Sequence, residues 1–490
     1  MRTKLTADFV LGFKCSSHVI YEKGEVVFEG NKILHVGYEF PGEVDRTIDY
    51  GNALIGPGFV DLDALGDLDT TILEFDQPSD ARIGRVWSEE YLRAGPVEAY
   101  SAEEETFKYR YAFTQLIRNG ITTVMPITSM LYRRWAESYE EFCQVAKLSA
   151  EMGIRAYLGP CYMSGLSYMK ENGDIAQYYD EARGIAGLRE AIRFIAEFDG
   201  SCGGRIRGFL APDRIETQTE EVLRRTADAA NELDVPVRLH CCQSVYEFNT
   251  VMDRTGKTPY EWLSSLNLLT SRMVLPHGIY LSSQPDMNEG IGDDLDLLRQ
   301  SGASLVHCPV VFARSGEALN SFSSYRSMGI NMAMGTDTHP ADMIENIRQG
   351  LNICHIMDRG SRRSTAADFY NAATLGGAAA LSRDDIGRLA PGAKADITVF
   401  DLSGFHLGPF IDPIRSMVLS GSGRDFVASF IDGVQVMRDS QVLGANESEL
   451  SSLANRQFKK VVTSHARQAG RLGEEDKITP STFEIVRPLS

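Results

Sequence analysis

The sequence predicts an α/β protein in which a (β/α)8 TIM barrel is inserted into a small β-sandwich domain built from both chain ends. Short apolar stretches alternate with amphipathic segments through the middle of the chain, and extended stretches with turn signals lie at both ends. We assign residues 1–56 and 381–445 to the β domain, 57–380 to the barrel, and 446–490 to a C-terminal helix, at 447–467, and an arm.

The β domain is predicted from strand patterns near both termini. Two apolar runs, 26–28 and 33–37, flank a Gly-Asn turn at 30–31, which is a hairpin signal. Similar extended patterns return at 395–401 and 427–436. Strands at both ends, around a middle of different character, predict one β domain to which both ends contribute.

The barrel is predicted from eight short apolar strands that alternate with amphipathic segments. One segment, 102–118, follows Ser101 and Glu104, which have the spacing of a capping box. Alternating units also build open doubly wound sheets, but no Gly-x-Gly-x-x-Gly turn follows the first strand, which disfavours a dinucleotide-binding sheet. The predicted strands are 58–62, 122–126, 154–158, 205–210, 235–240, 273–277, 304–307 and 330–337.

One segment interrupts this repeating pattern. Residues 66–100 are too long and too mixed in composition for a simple strand-to-helix connection. Insertions of this kind commonly form lids or subunit contacts. Arg82, Arg85, Trp87 and Tyr91 are therefore candidates to close over the site, with a solvated face as the alternative.

The chain is acidic, with a formal net charge of -18 at pH 7 from 49 Lys plus Arg against 67 Asp plus Glu in 490 residues. Such a surface repels phosphate backbones and anionic headgroups, so we expect neither nucleic acid nor membrane partners. The start of the chain has no signal-peptide pattern, and no stretch is long and apolar enough to span a membrane. The cysteines form no CxxC pair, so we expect reduced thiols and a cytoplasmic protein.

Polar side chains stand at the ends of the last four predicted strands. His240, His277, His307 and Asp337 are spaced 37, 30 and 30 residues apart, and His339 lies two residues further on. Each interval is one strand-helix unit, and the carboxyl ends of barrel strands meet at one mouth. Imidazole and carboxylate groups that converge there are the ligands a divalent metal requires.

Other interpretations of these residues remain open. A single histidine after an apolar strand is more often a hydrogen-bonded structural residue than a metal ligand. Three histidines and an aspartate in one register favour a functional site instead. Cys241, Cys242 and Cys308 lie beside these histidines, so a thiolate nucleophile is an alternative.

Seven short motifs occur in order along the chain, and together they are specific although each alone is weak. They are Pro-Gly-Phe-Val-Asp at 57–61, Gly-Ile-Thr-Thr-Val at 120–124, His240, His277, His-Cys-Pro at 307–309, Gly-Thr-Asp-Thr at 335–338 and Gly-Arg-Leu-Ala-Pro-Gly-Ala-Lys-Ala-Asp-Ile at 387–397. With these motifs the chain resembles the amidohydrolase superfamily, within it the cytosine deaminase-like branch that includes triazine chlorohydrolases and aminohydrolases. The resemblance covers about residues 17–440.

The chain departs from the pattern of that family at three places. In the family, strand 1 ends Pro-Gly-Phe-x-Asp-x-His-x-His and both histidines bind the metal, whereas this chain has Asp63 and Leu65 there. Strand 5 of the family reads His-x-x-Glu, and the Glu shuttles a proton to a substrate ring nitrogen. Here Gln243 takes that place and cannot carry a proton. After strand 7, Val311 and Phe312 replace a Ser-Asn pair and leave a more apolar wall.

The resemblance implies a metal-dependent hydrolase with an altered ligand set. One divalent ion, zinc in first place with iron or manganese as alternatives, is held by Asp63, His240 and Asp337, with His277 either as a fourth ligand or as a catalytic partner. Asp61 shares the strand facing of Asp63 and is a second candidate. The bound ion lowers the pKa of a water molecule toward about 7. Asp337 is then the general base, and His277 orients the attacking group or stabilises developing charge.

The target implied is a carbon–nitrogen bond of a small cyclic amide, amidine or aminated heterocycle. Loss of the strand 5 Glu argues against simple cytosine-type deamination and favours a substrate with a better leaving group. Gln243 is predicted as a catalytic residue that acts through hydrogen bonds, and His307, Phe312 and His339 as substrate contacts. As an alternative, His339 caps the helix that follows at Met343.

A second interpretation is a metal-free barrel that serves as a different catalyst or as a small-molecule binding protein. A scaffold or interaction protein is disfavoured because it does not need polar groups at successive strand ends. In either case the predicted partner is a small molecule. The resemblance also implies a homodimer or a larger homo-oligomer.

Overall fold

The computed structural model describes residues 1–73, 86–130, 132–282, 293–471, 473–475 and 479–486. It is a mixed α/β structure, as predicted. The strands run Arg2–Thr6, Phe9–Lys14, Ser17–Glu22, Glu25–Glu29, Lys32–Gly37, Arg46–Asp49, Ala53–Pro57, Phe59–Leu65, Trp87–Ser88, Ile121–Ile127, Arg155–Leu158, Cys161–Tyr162, Gly165–Met169, Ile175–Tyr179, Ile206–Gly208, Ala211–Pro212, Val237–Arg238, Met273–Pro276, Ser304–His307, Asn331–Met334, Ile397–Asp401, Phe426–Ile431, Val434–Arg438 and Gln441–Val442.

The longer helices alternate with the strands of the middle of the chain. They run Glu89–Ala94, Ala102–Arg118, Tyr139–Met152, Glu181–Phe198, Glu220–Leu233, Val245–Thr255, Pro259–Ser265, Asp294–Ser301, Pro309–Arg314, Phe322–Ser327, Met343–Met357, Ala366–Asn371, Pro413–Ser420 and Glu447–Gln468. The predicted capping box is confirmed, because the Ser101 side chain accepts from the Glu104 amide and the Glu104 carboxylate accepts from the Ser101 amide. None of the helices in the described part of the chain is long and apolar enough to cross a membrane.

The eight predicted strands of the middle form two four-stranded parallel sheets. The first sheet has the order Ile206–Gly208, Arg155–Leu158, Ile121–Ile127, Phe59–Leu65, and the second has the order Val237–Arg238, Met273–Pro276, Ser304–His307, Asn331–Met334. The predicted positions are confirmed, although the fourth, fifth and eighth strands are shorter than predicted. His240 and Asp337 lie beyond those strands, where Asp337 turns to a φ of 47°.

The two parallel sheets are connected at both edges. A parallel bridge joins Leu210 to Val237 on one side. On the other side the Asp337 amide donates to the carbonyl oxygen of Asp63 at 2.9 Å. Every residue of Phe59–Leu65 is buried, as expected for a strand covered on both faces. Aspartates in so buried a strand need polar or ionic partners, which indicates a site rather than a plain core.

The two ends of the chain meet in one seven-stranded sheet. Its order is Gln441–Val442, Val434–Arg438, Phe426–Ile431, Ile397–Asp401, Ala53–Pro57, Phe9–Lys14, Ser17–Glu22. The predicted hairpin is confirmed in a separate four-stranded sheet, where Glu25–Glu29 pairs antiparallel with Lys32–Gly37. Gly30 has a φ of 55° in its turn, a conformation that glycine adopts without steric cost.

A buried ion pair ties the middle of the chain to its C-terminal strands. The Arg155 guanidinium donates to Asp396 through Nε at 2.7 Å and to Asp432 through Nη2 at 3.2 Å. The C-terminal helix Glu447–Gln468 instead packs on Ala102–Arg118, where Lys460 pairs with Glu104 at 2.5 Å. The C-terminal helix is partly buried along that contact.

Candidate functional site

The site is organised around the fully buried strand Phe59–Leu65, whose odd-numbered side chains share one facing. Asp61 is bound to the eighth strand end, because it accepts from the Thr336 amide at 3.1 Å and from the Thr336 hydroxyl at 2.6 Å. Burial raises the pKa of Asp61 to about 7, against these hydrogen bonds. Asp61 therefore connects two strands, and its oxygens are already occupied.

Asp63 is the group around which the other polar side chains converge. Its Oδ1 lies 3.4 Å from Nε2 of His240, and its Oδ2 lies 4.0 Å from Nε2 of His277 and 3.7 Å from Sγ of Cys308. Its backbone carbonyl accepts from the Asp337 amide. Residues from strands 1, 5, 6, 7 and 8 of the predicted set thus meet at one point.

His240 is oriented by the backbone next to it. Its Nδ1 lies 2.7 Å from the carbonyl oxygen of Asp213, which can only accept a hydrogen bond, so Nδ1 carries a proton and Nε2 is the nitrogen that faces Asp63. A carbonyl partner on the outer nitrogen is the usual way in which proteins fix a metal-binding histidine.

His277 stands between His240 and Phe312. Its ring stacks on His240 with centroids 5.4 Å apart, and the Phe312 ring meets it edge-on at 4.7 Å. His277 and Asp337 have positive φ angles of 81° and 47°. Such conformations are uncommon outside glycine and cluster at functional sites.

Four of these side chains offer ligand atoms that all lie within 4.8 Å of one another: Asp63, His277, Cys308 and Asp337. Asp63 Oδ1, His240 Nε2 and both ring nitrogens of His277 are buried without a hydrogen-bond partner among the described residues. Unpartnered buried nitrogens and oxygens cost free energy, and a bound cation would satisfy them. The residues present therefore fit a divalent metal ion.

The two carboxyl groups of this cluster, Asp63 and Asp337, have pKa values shifted in opposite directions. Burial acts to raise the pKa of Asp63, but the neighbouring His240, Arg238 and His277 outweigh it and lower this pKa to about 2. Burial, with Asp63 and Asp69 nearby, instead raises the pKa of Asp337 well above its usual value. Burial also lowers the pKa of His277 far below 6.5.

Arg238 is a part of the site that sequence reasoning missed. Its side chain is 4% exposed, and Nη1 lies 3.8 Å from Asp63 Oδ1. A signal was present, because Arg238 precedes His240 by two residues in a strand and therefore shares its facing. An arginine inside a predicted buried strand should have been counted as a site residue.

The predicted substrate contacts are placed differently from one another. Phe312 lies against His277 and forms a wall of the site. His307 instead packs near the rings of Phe322 and Phe369, at 6.0 and 6.3 Å, and burial lowers its pKa to about 3. Gln243 has its amide oxygen buried without a hydrogen-bond partner in the described part of the chain.

His339 does not cap the helix at Met343, so that alternative is wrong. Asp342 is the cap, because its carboxylate accepts from the amides of Ile344 and Glu345 at 2.9 and 3.2 Å. The His339 ring instead lies edge-on to Tyr111 at 5.8 Å. An acidic residue directly before a predicted helix is the sequence signal that identifies Asp342.

Trp87 and Tyr91 are buried in a cluster with Met163 and Leu166, so a solvated face is wrong for these two residues. Closure of this segment over the site stays a prediction, and Arg82 and Arg85 lie outside the described residues.

Burial raises the pKa of Cys241 to about 11 and the pKa values of Cys242 and Cys308 well above 9. Thiols that stay protonated are poor nucleophiles, so the thiolate alternative finds little support.

A family model described as "Amidohydrolase family" matches residues 77–436 of the chain. The chain belongs to this family. The family prediction and the predicted enzyme class, a hydrolase of carbon–nitrogen bonds other than peptide bonds, are thereby confirmed.

Relatives of this amidohydrolase include a 5-methylthioadenosine/S-adenosylhomocysteine deaminase from Halobacterium salinarum, 28% identical over 434 residues, which cover 87% of this chain and 90% of the relative. A 5'-deoxyadenosine deaminase from Methanosarcina barkeri is 24% identical over 449 residues, covering 90% and 94%.

Solved structures share the fold. A crystal structure of an adenosine deaminase from Xanthomonas campestris with bound zinc has a TM-score of 0.75 at 19% identity, covering 94% of this chain and 98% of that chain. A mutant atrazine chlorohydrolase from Arthrobacter aurescens, complexed with zinc and atraton, has a TM-score of 0.77 at 18% identity, covering 93% and 100%.

Proposed function

We propose that this amidohydrolase is a metal-dependent hydrolase that cleaves a carbon–nitrogen bond of an aminated heterocycle. The observation that carries the proposal is the set of buried, unpartnered ligand atoms on Asp63, His240 and His277 beside Asp337. The proposal is also supported by relatives named as deaminases of adenosine-type compounds.

Asp63, His240, His277 and Asp337 would hold one divalent ion. Zinc is the preferred ion, because imidazole nitrogens together with carboxylate oxygens form a common zinc ligand set. Iron and manganese bind the same donors and are the alternatives. When bound, such an ion supplies a water nucleophile of lowered pKa and polarises the bond under attack.

Asp337 is the general base of the proposed reaction. Its raised pKa suits a carboxylate that takes a proton from the attacking water and returns it to the departing nitrogen. His277, between His240 and Phe312, faces the same space and would orient the substrate or stabilise developing negative charge.

Gln243 restricts the kind of leaving group that suits the site. Its unpartnered amide oxygen can accept a hydrogen bond from a ring N–H or an exocyclic amine, but the amide cannot protonate a ring nitrogen. Substrates whose leaving group departs without strong ring protonation therefore suit this site better than cytosine-type compounds. Phe312 offers an apolar face for a heterocyclic ring.

We also infer that the two parallel sheets are halves of one closed (β/α)8 barrel. The bridge from Leu210 to Val237 and the hydrogen bond from Asp337 to Asp63 support closure on both sides. On this interpretation residues 57–380 form the barrel, 1–56 with 381–445 the β domain, and 446–490 the C-terminal helix and arm.

A substrate panel tests the proposed function. The purified protein is incubated with 5'-methylthioadenosine, 5'-deoxyadenosine, adenosine, and triazines that carry amino, alkylamino or chloro substituents. We expect hydrolysis of at least one aminated compound, measured as released ammonia or amine. The activity should disappear on chelation and return with zinc, because the water nucleophile depends on the ion. Undiminished hydrolysis by metal-stripped protein, or no hydrolysis by metal-replete protein, would contradict the proposal.

A further inference from the structure

Arg238 is a permanent cation built into the base of the site. Its Nη1 donates to the carbonyl oxygens of Met125 and Pro126, at 2.9 and 2.8 Å. Its guanidinium lies over the Phe209 ring, 5.0 Å from the centroid. Two carbonyls and an aromatic face thus fix the position of the charge, so it does not move with solvent or substrate.

The cation faces Asp63 without a hydrogen bond to it. Nη1 is 3.8 Å from Asp63 Oδ1, which is too long for a hydrogen bond. Nη1 carries two hydrogens, and the two carbonyls take both. Asp63 Oδ1 consequently remains without a hydrogen-bond partner in the described residues. Arg238 therefore supplies charge to Asp63 and leaves its lone pairs free for a ligand bond.

The pair balances its own charges. Asp63 brings one negative charge to the buried site, and Arg238, which is also buried, brings one positive charge. Within the described chain, the other groups within 4.0 Å of the Asp63 carboxylate oxygens include the imidazoles of His240 and His277 and the thiol of Cys308. Arg238 is the member whose charge is permanent.

We propose that Arg238 is a positioning residue that compensates the charge of Asp63, so that the two residues work as one unit of the metal site. The inference rests on the proposed function, because it concerns the affinity of that site for its ion. Asp63 without Arg238 would be a buried carboxylate without its permanently charged partner. Arg238 without Asp63 would be an unpaired buried cation that repels a metal ion.

The test is a cycle of variants in which zinc affinity is measured by chelator competition on metal-stripped protein. Asp63→His should weaken zinc binding by at least about 100-fold, because the Arg238 charge then lacks its counter-ion. Adding Arg238→Met to that variant should recover at least about tenfold, since it removes the repulsion. The matched control, Asp63→His with Arg238→Lys, retains the positive charge and should show no recovery.

A second readout is the stability of the same metal-stripped proteins in urea. Each single substitution should lower the unfolding free energy, and the double substitution should cost less than the two singles together. If Arg238→Met does not fold, Arg238→Gln serves in its place, because its amide can still donate to a strand carbonyl. The inference is overturned if the Arg238 substitution lowers the unfolding free energy equally in wild-type and in Asp63→His protein and zinc affinity does not recover. Arg238 would then act through packing alone.

The outcomes separate this inference from the proposed function. Wild-type protein that binds no zinc, iron or manganese contradicts the proposed function, and the stability cycle then still decides whether Arg238 and Asp63 are coupled. Wild-type protein that binds zinc while the double variant remains as weak as Asp63→His contradicts the Arg238 inference alone.

Discussion

Asp337→Asn is expected to lower kcat by at least about 10³-fold while leaving the fold intact, because the amide cannot take up the proton of the attacking water. The substitution suits the local backbone, since asparagine tolerates the left-handed conformation that Asp337 adopts at a φ of 47°. The amide N–H of residue 337, which donates to Asp63, is also retained. Turnover of the best substrate from the panel is the measurement.

The control for this variant is its stability. Its unfolding free energy should be no more than about 1 kcal/mol below that of wild type, since no cavity is created and no backbone bond is lost. A folded Asp337→Asn protein that keeps more than about a tenth of wild-type kcat would show that Asp337 is not the general base.

His240→Asn is expected to lower zinc affinity by at least about 100-fold, since even the loss of an outer partner of a metal ligand costs 10- to 100-fold. The asparagine amide can still donate to the Asp213 carbonyl, as Nδ1 of His240 does, but it carries no atom at the place of Nε2. The variant therefore removes the ligand atom with little change to its surroundings. Zinc titration of metal-stripped protein measures the effect.

His307→Asn is the matched control for that titration. His307 ends the strand Ser304–His307, and its ring contacts are with Phe322 and Phe369 rather than with Asp63. The zinc affinity of the His307→Asn protein should stay within about threefold of wild type, because a residue outside the ligand set makes no bond to the ion. Equal losses in both variants would mean that the histidines act through the general stability of the strand ends.

The fold of the middle of the chain was predictable because its parallel strands are buried on both faces and read as short apolar runs. The boundaries were less predictable where a strand ends in a turn that the sequence does not mark. Strand 5 was expected to reach His240 but ends at Arg238, since the His240 amide donates to the carbonyl of Asp213 in a neighbouring loop.

Asp63 was identified from the family resemblance. The convergence of His240, His277 and Asp337 followed from one regular interval along the chain, although His307 of the same interval packs near Phe322 and Phe369 instead. The partners that complete the site did not follow from it, because they are contacts between distant segments. Arg238 beside Asp63 and Thr336 beside Asp61 both depend on how strand 1 sits against its neighbours. Spacing along a sequence predicts which side chains lie at the same end of the sheet. The hydrogen bonds of the folded chain determine which of these side chains keep lone pairs available for a ligand.

Asp61 and Asp63 illustrate that difference. Two residues apart on one strand, they were both candidates for the metal. Asp61 is occupied by the amide and hydroxyl of Thr336, and Asp63 keeps an unpartnered oxygen. The structure therefore favours Asp63 as the ligand, and it assigns Asp61 to the joint between strands 1 and 8.

Metal analysis of the purified protein tests the central claim most directly. Protein produced in medium supplemented with zinc, iron or manganese, then dialysed, is analysed by inductively coupled plasma mass spectrometry and by thermal unfolding with and without added metal. We expect about one metal ion per chain and a higher unfolding temperature with the ion bound. Less than about 0.2 metal ions per chain, with no change of stability on adding metal, would contradict it and favour a metal-free barrel.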